Sequence, residues 1–358
     1  MNVQSLSCGL PPAGRIAALD TARGFAILAV VASHGLLLQG PAASWIYEFY
    51  VPLFFVLSGY LASPGHEVAR IGRMAGKYFG VCCTLFAVWF VMYPLRGEQT
   101  DLIGRAAASI LYGRFYDTAS PLLVNCCWSG QLWFFTLLCT ASALFFALRR
   151  LPDRPVVKIA VLAVLLAAAQ LLRATPVLLP WCVDTAPLGA AYMLAGSWLA
   201  RRDFARQPLK GWHPALLAVC LVAYLALHDT YDLNLRVYGR FADWRGPVAF
   251  FAAGTAGSIL CIALCTVVAR IPWVSKVLCW AGRHSMSIFC WHIFWLWTVD
   301  AVWMRLPASW PVDGLLLRVA YAVAVLVAVP LLCVGTDCLY RAVGSRLSGW
   351  IWPRKNRA

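Results

Sequence analysis

Charge is what this chain has least of. Asp, Glu, Lys and Arg make up 13% of its 358 residues, about half of what a soluble domain carries. Acidic residues are scarcer still, 15 against 30 Lys and Arg. The 14 cysteines contain no CxxC pair, which removes the usual zinc and dithiol signatures. Most of them (Cys82, Cys83, Cys139, Cys220, Cys261, Cys265, Cys290, Cys333) sit inside apolar runs, where a thiol behaves as a small apolar side chain. Repeats and low-complexity tracts are missing. The first 14 residues lack the basic start and small-residue cleavage site of a secretory signal.

What fills the chain instead is hydrocarbon. Hydrophobic residues reach 61% and the mean hydropathy is +0.72. Apolar runs of roughly 15 to 25 residues follow one another, long enough to span about 30 Å of bilayer core. This predicts a single all-α polytopic membrane domain over 1–358, with ten spans near 18–39, 47–63, 78–94, 131–148, 157–173, 187–200, 212–228, 246–269, 284–300 and 315–336. No room remains for a large soluble domain. The net charge of +15 could suggest nucleic acid, but the cations fall in short clusters between apolar runs. Of the 30, 21 lie on the side that carries both chain ends and 9 on the other. The positive-inside rule then places both termini in the cytoplasm. The longest connection, 95–130, includes "DLIGRAAASILYGRFY", which suits an amphipathic helix in the interface. Cys126, Cys127 and Cys182 fall in expected outer loops, where they are able to pair. Gly254 and Ser258, four apart, permit close helix contact.

The informative residues are the ionisable ones inside apolar runs. In "LDTARGFAILAVVASHGLLL" Arg23 stands at the mouth of the first span and His34 inside it, with Asp20 three residues before the arginine. Eleven residues are about three helical turns, so the two side chains share a side and differ in height by roughly 16 Å. An arginine at a helix end often only snorkels. A histidine deep in a span is by default a functional candidate. In "RIGRMAGK" the cations Arg70, Arg73 and Lys77 form one stripe at the entry of the third span. The stripe serves topology or receives a polyphosphate, whose oxygens arginine binds bidentately. In "VPLFFVLSGYLAS" Ser58 and Gly59 interrupt an aromatic helix, where glycine allows a backbone or a ligand to approach. In "GRHSMSIFCWHIFWLW" His292, with Ser285 and Ser287, lines the ninth span about 12 Å deeper than His284.

Taken in order, Arg23 and His34, "FFVLSGYL", the Arg70–Arg73 pair, "LWFF" at 132–135 and "GRHSMSIFCWH" resemble the acyltransferase-3 family of integral membrane acyltransferases, many of which O-acetylate bacterial envelope glycans and exopolysaccharides. The resemblance runs from residue 18 to about 336. Because the chain ends at 358, it is similar to the stand-alone, ten-helix branch without a periplasmic hydrolase-like domain. The resemblance implies an inner-membrane enzyme with acetyl-CoA as acyl donor, no metal, and a sugar hydroxyl or lipid-linked oligosaccharide as acceptor. It implies a catalytic His34 paired with Arg23, and donor binding by Arg70 and Arg73, with Lys77 completing their stripe.

Acyl transfer supplies a reason for each residue type. A sugar hydroxyl needs a base, histidine titrates near neutrality, and the oxyanion needs donors. Ser58, backbone N–H groups near Gly59 and His292 are candidates for that last role, and Trp133 of "LWFF" joins the acceptor-side candidates. Direct transfer and an acetyl-histidine relay both fit. The competing class is a glycan or lipid flippase whose histidines conduct protons, although the inverted repeats and paired broken helices of transporters are not visible.

Overall fold

The computed structural model describes residues 16–35, 37–38, 40–92, 108–113, 132–173, 179–228, 244–305 and 315–351. Among them every regular element is helical. The helices are α1 (Ala17–His34), α2 (Pro41–Tyr47), α3 (Tyr50–Tyr60), α4 (Glu67–Met92), α5 (Trp133–Leu148), α6 (Pro155–Arg173), α7 (Ala186–Arg201), α8 (His213–Leu227), α9 (Arg245–Val268), α10 (Pro272–Arg283), α11 (Ser285–Trp303), α12 (Leu315–Val323) and α13 (Val329–Ile351). Proline opens α2, α7, α8 and α10, where its missing N–H costs nothing and its φ is already helical. A helix occupies each apolar stretch read from the sequence. Pro155–Leu172, Arg245–Val268 and Leu315–Gly344 are long and apolar enough to cross a membrane unaided, while Trp133–Leu148 and His213–Leu227 are apolar but shorter.

Three departures from the sequence reading matter. First, α1 stops at His34 rather than near 39, and Gly35 caps it by donating its N–H to Val31 O at 2.8 Å. His34 is therefore the last residue of a helix rather than the middle of one. Second, the expected span 47–63 is broken at Glu48 and Phe49. The remaining 11-residue α3 rises only about 16 Å, too little to cross alone. The break turns the Glu48 carboxylate toward His228. Third, α10 reads as a loop between spans but is an amphipathic helix whose small residues fit α1.

The core lies where α1, α3, α7 and α9 meet, with α10 against α1, and glycine sets how closely they approach. A methyl group added at Gly59 would sit 1.9 Å from Met193 O, one at Gly196 1.9 Å from Val56 O, and one at Gly24 1.9 Å from Leu278 O. These helices touch backbone to backbone, as small residues allow in membrane bundles. At Gly254 side chains approach instead, the Tyr192 hydroxyl and the Pro52 ring, so the glycine on α9 also makes room for a close neighbour. By contrast α6, α12 and α13 turn apolar side chains such as Ile159, Val164, Leu316 and Leu331 outward, as expected of lipid-facing helices. A π-helical turn, Ala324–Ala328, joins α12 to α13. Its Val325 is fully buried and lies against Gly35, next to His34.

Within the stretch expected to be an interfacial helix, residues 108–112 are helical and are tied to the bundle. Tyr78 donates to Ile110 O at 2.8 Å, Thr136 to Gly113 O at 2.6 Å and Trp181 Nε1 to Leu111 O at 2.9 Å. Cys182 is a buried free thiol; Cys126 and Cys127 lie outside the described residues.

Candidate active site

At one end of α1 the structure brings together residues that the sequence keeps apart. Arg23 of α1, Ser58 and Leu61 at the end of α3, Arg70 and Met74 of α4, Leu138, Ser142 and Phe146 of α5, and Met193 of α7 wall a cavity of about 250 Å³. Arg70 is held by two contacts. Its Nη2 donates to Ser63 Oγ at 3.2 Å, and its guanidinium stands 5.8 Å from the centre of the Phe146 ring, a cation–π geometry. Two guanidiniums, two hydroxyls and a thioether-lined apolar wall suit an anionic head with an apolar arm. The volume falls just below the 300–1,000 Å³ of whole small-molecule sites, so the cavity has room for part of a large ligand rather than all of it.

The cationic stripe divides three ways. Arg70 reaches the cavity, Arg73 is exposed, and Lys77, two turns along the same helix, leaves the cavity for α13. There Lys77 Nζ lies 3.3 Å from Asp337 of α13. Asp337 is buried and also accepts from Ser287 at 2.7 Å and from Arg341. Lys77 is thus part of a network that ties α4, α11 and α13 together. A buried carboxylate without such partners would be costly.

Gly59 belongs to helix packing, as shown above. Ser58 donates to Phe54 O at 2.7 Å and shares the cavity with the two arginines. The structure therefore places it on the Arg23 side, not beside His34.

About 16 Å along α1 from Arg23, His34 closes the helix. Its ring centre is 5.2 Å from that of His292, with the planes at 47°. The pair divides into an open member and a closed one: His34 is exposed and His292 is 0% exposed. His292 Nδ1 lies 2.9 Å from Phe289 O. A carbonyl only accepts, so Nδ1 carries the proton and Nε2 the lone pair. Nε2 is buried and has no hydrogen-bond partner among the described residues. Leaving such an atom unmet costs about 1–3 kcal/mol. The rings of Phe289 and Phe134 close the floor, with Phe289 5.7 Å from His292 and 5.0 Å from Phe134. Trp133 opens α5 beside them, edge-on to Phe134 at 6.3 Å. The π-helical turn against Gly35 adds a second local irregularity, and such turns recur at functional sites.

The arrangement thus has an anion-compatible cavity at one end of α1 and a histidine pair at the other, on one continuous helix. Sequence reasoning found the arginines and histidines by their cost in hydrocarbon. It missed Ser142, Phe146 and Met193, which carry no such cost, and it missed Asp337, which falls just past the expected last span. A larger groove, about 310 Å³, runs between α6 and α7 along Leu162, Leu194 and Trp198; it contains none of the residues above.

A model of the acyltransferase-3 family, described as an acyltransferase domain, matches residues 16–336. Neither a curated protein nor a solved structure matches the chain.

Proposed function

This chain belongs to the acyltransferase-3 family and is a membrane acyltransferase, and from that premise we propose that it moves an acyl group, acetyl first among them, from acyl-CoA to a sugar hydroxyl of an envelope glycan, an exopolysaccharide or a lipid-linked precursor. The observation that carries the reading is the placement of two chemistries on α1: Arg23 with Arg70 at the cavity, His34 with His292 at the far end. The cavity cations receive phosphate oxygens of the donor through charge-assisted hydrogen bonds. The pantetheine arm then runs along α1 toward the histidines. His34, the open member of the pair, takes the proton of the incoming hydroxyl as it attacks the thioester carbon. The C–S bond breaks, and the same proton passes to the departing thiolate. His292 Nε2 provides a second proton acceptor behind His34. A route through acyl-His34 uses the same atoms in two steps.

The topology proposed with this reading has ten spans, an inner-membrane location and both ends cytoplasmic, which puts the cavity at the cytoplasmic face where acyl-CoA is found. The 21-to-9 division of Lys and Arg supports it. Purified protein given acetyl-CoA and a lipid-linked glycan should release free thiol in step with acetyl incorporation. Glycan crossing the membrane with no thiol release would replace this reading with the flippase.

A further inference from the structure

A second constellation stands at the end of the bundle away from the cavity. The Ala205 N–H donates to the Tyr60 hydroxyl at 3.2 Å, so the turn leading into α8 shares the end of the bundle where α3 finishes and Arg23 and Arg70 gather. From there the 15 residues of α8 climb about 22 Å to His228, which ends that helix. Here His228 Nδ1 lies 2.9 Å from Glu48 Oε1, and its Nε2 lies 3.5 Å from Ser44 Oγ. The carboxylate accepts, so Nδ1–H donates to it and Nε2 faces the serine hydroxyl with its lone pair.

This is the order a nucleophilic serine requires: hydroxyl, imidazole, carboxylate. The parts are fixed in place. Glu48 is 5% exposed and stands four residues after Ser44 across the end of α2, so both project to one side. The Trp45 ring stacks on His228 at 3.4 Å and 23°. Tyr224, one turn earlier on α8, donates its hydroxyl to Trp45 O. The Ser–His separation is longer than a tight hydrogen bond, as is common before substrate binds. A plain clamp between α2 and α8 would need only one polar bridge. It would have no use for an imidazole held between a hydroxyl and a buried carboxylate in that sequence.

We propose that Ser44, His228 and Glu48 form a second, serine-based site that accepts carboxylic esters. Ser44 Oγ attacks the ester carbonyl while His228 Nε2 takes the hydroxyl proton. The carbonyl–oxygen bond to the alcohol breaks, and that alcohol leaves with the proton from His228. The acyl group is then an ester on Ser44. Water or a second hydroxyl attacks it, gives its proton to His228, and Ser44 recovers the proton as the ester cleaves. Glu48 holds the imidazole and balances its transient charge. This chemistry is independent of the thioester reaction at His34 and needs no CoA.

The test uses full-length protein in detergent with two probes, a fluorophosphonate and p-nitrophenyl acetate, without CoA. Mass spectrometry should find the phosphonyl group on Ser44, and wild-type protein should release a burst of nitrophenol close to one per chain. Ser44→Ala should lose both signals, and His228→Asn and Glu48→Gln should slow phosphonylation at least tenfold. Thermal unfolding and gel filtration of each variant report whether it is folded. Glu48→Gln, which keeps size and polarity, carries the comparison where His228→Asn does not fold. Absence of a Ser44 adduct while an added serine esterase is labelled in the same tube overturns the proposal. So does labelling at wild-type rate in a folded Glu48→Gln protein. Failure of thiol release in the acetyl-CoA assay leaves this result unaffected, so the two readings fall separately.

Discussion

Arg70 and Arg73 stand one turn apart on α4, yet Arg70 reaches a walled cavity with Arg23 and Ser58 while Arg73 stays exposed. The same split separates Gly59, pressed against the backbone of α7, from Gly72, which has nothing within 4 Å of where a methyl would stand. It separates His292, fully buried, from His34, which is exposed at the helix end. In each pair the residue type is the same. What differs is whether the position faces the space between helices or the rim. Chemistry and packing follow from that direction, so each pair defines a measurement that the other explanation would fail.

The largest effect belongs to the histidines. His34→Gln keeps polarity and reach but takes no proton. General-base catalysis contributes about 10²–10⁴-fold, so CoA-dependent glycan acylation should fall by at least about a hundredfold with the protein still folded. His292→Gln should fall less, because the proposed mechanism has His292 behind His34. A larger loss for His292→Gln than for His34→Gln would exchange the two roles, and near wild-type rates for both would make the pair structural.

Gly59→Ala comes next. The added methyl would lie 1.9 Å from a backbone oxygen of Met193, and backbone cannot rotate away as a side-chain tip can. Overpacking of this kind costs about 1–3 kcal/mol. The thermal midpoint in detergent should drop by several degrees and expression should fall. An unchanged midpoint would show that α3 and α7 are not in contact there.

Much of this was legible from the chain and some of it could not have been. Helix positions follow from apolar runs bounded by proline, glycine and charge, because hydrocarbon forces internal hydrogen bonding. Arg23, His34 and His292 stand out for the same reason: an ionisable group in an apolar run is expensive. The pairing of His34 with His292, 258 positions apart, depends on how helices pack, and no period in the sequence encodes it. Lys77 looked like a third member of the cationic stripe because 70, 73 and 77 share a helical face. Its carboxylate partner lies at 337, beyond any local pattern. Ser44 and Glu48 were passed over because they sit where the sequence reads as a loop running into a span, and His228 because it ends one.

A smaller effect tests the cation pair. On the proposed donor reading, Arg70→Ala removes a charge-assisted contact to phosphate, about 1.5–3 kcal/mol, and should raise the KM for acyl-CoA roughly tenfold or more. Arg73→Ala, at the exposed rim, should raise it by a few-fold at most, because exposed ion pairs contribute about 0–1 kcal/mol, and that rise should shrink with added salt. Equal, salt-insensitive losses in both variants would place the donor along the whole face of α4 instead of in the cavity.

The smallest expected change is Gly72→Ala, and it closes the comparison from the opposite side. Gly72 lies between Arg70 and Arg73, within a helix, exposed, with open space around it. If its glycine served a ligand or a neighbouring backbone, alanine would be costly, as at Gly59. If it serves neither, alanine only removes unfolded-state freedom and improves helix propensity, a gain of up to about 1 kcal/mol. The expected result is therefore a thermal midpoint unchanged or slightly raised, with KM for acyl-CoA and the rate of acylation both as in wild type. A raised KM with a preserved midpoint would mean that the donor passes over this turn of α4, which would extend the donor path from the cavity out to Arg73.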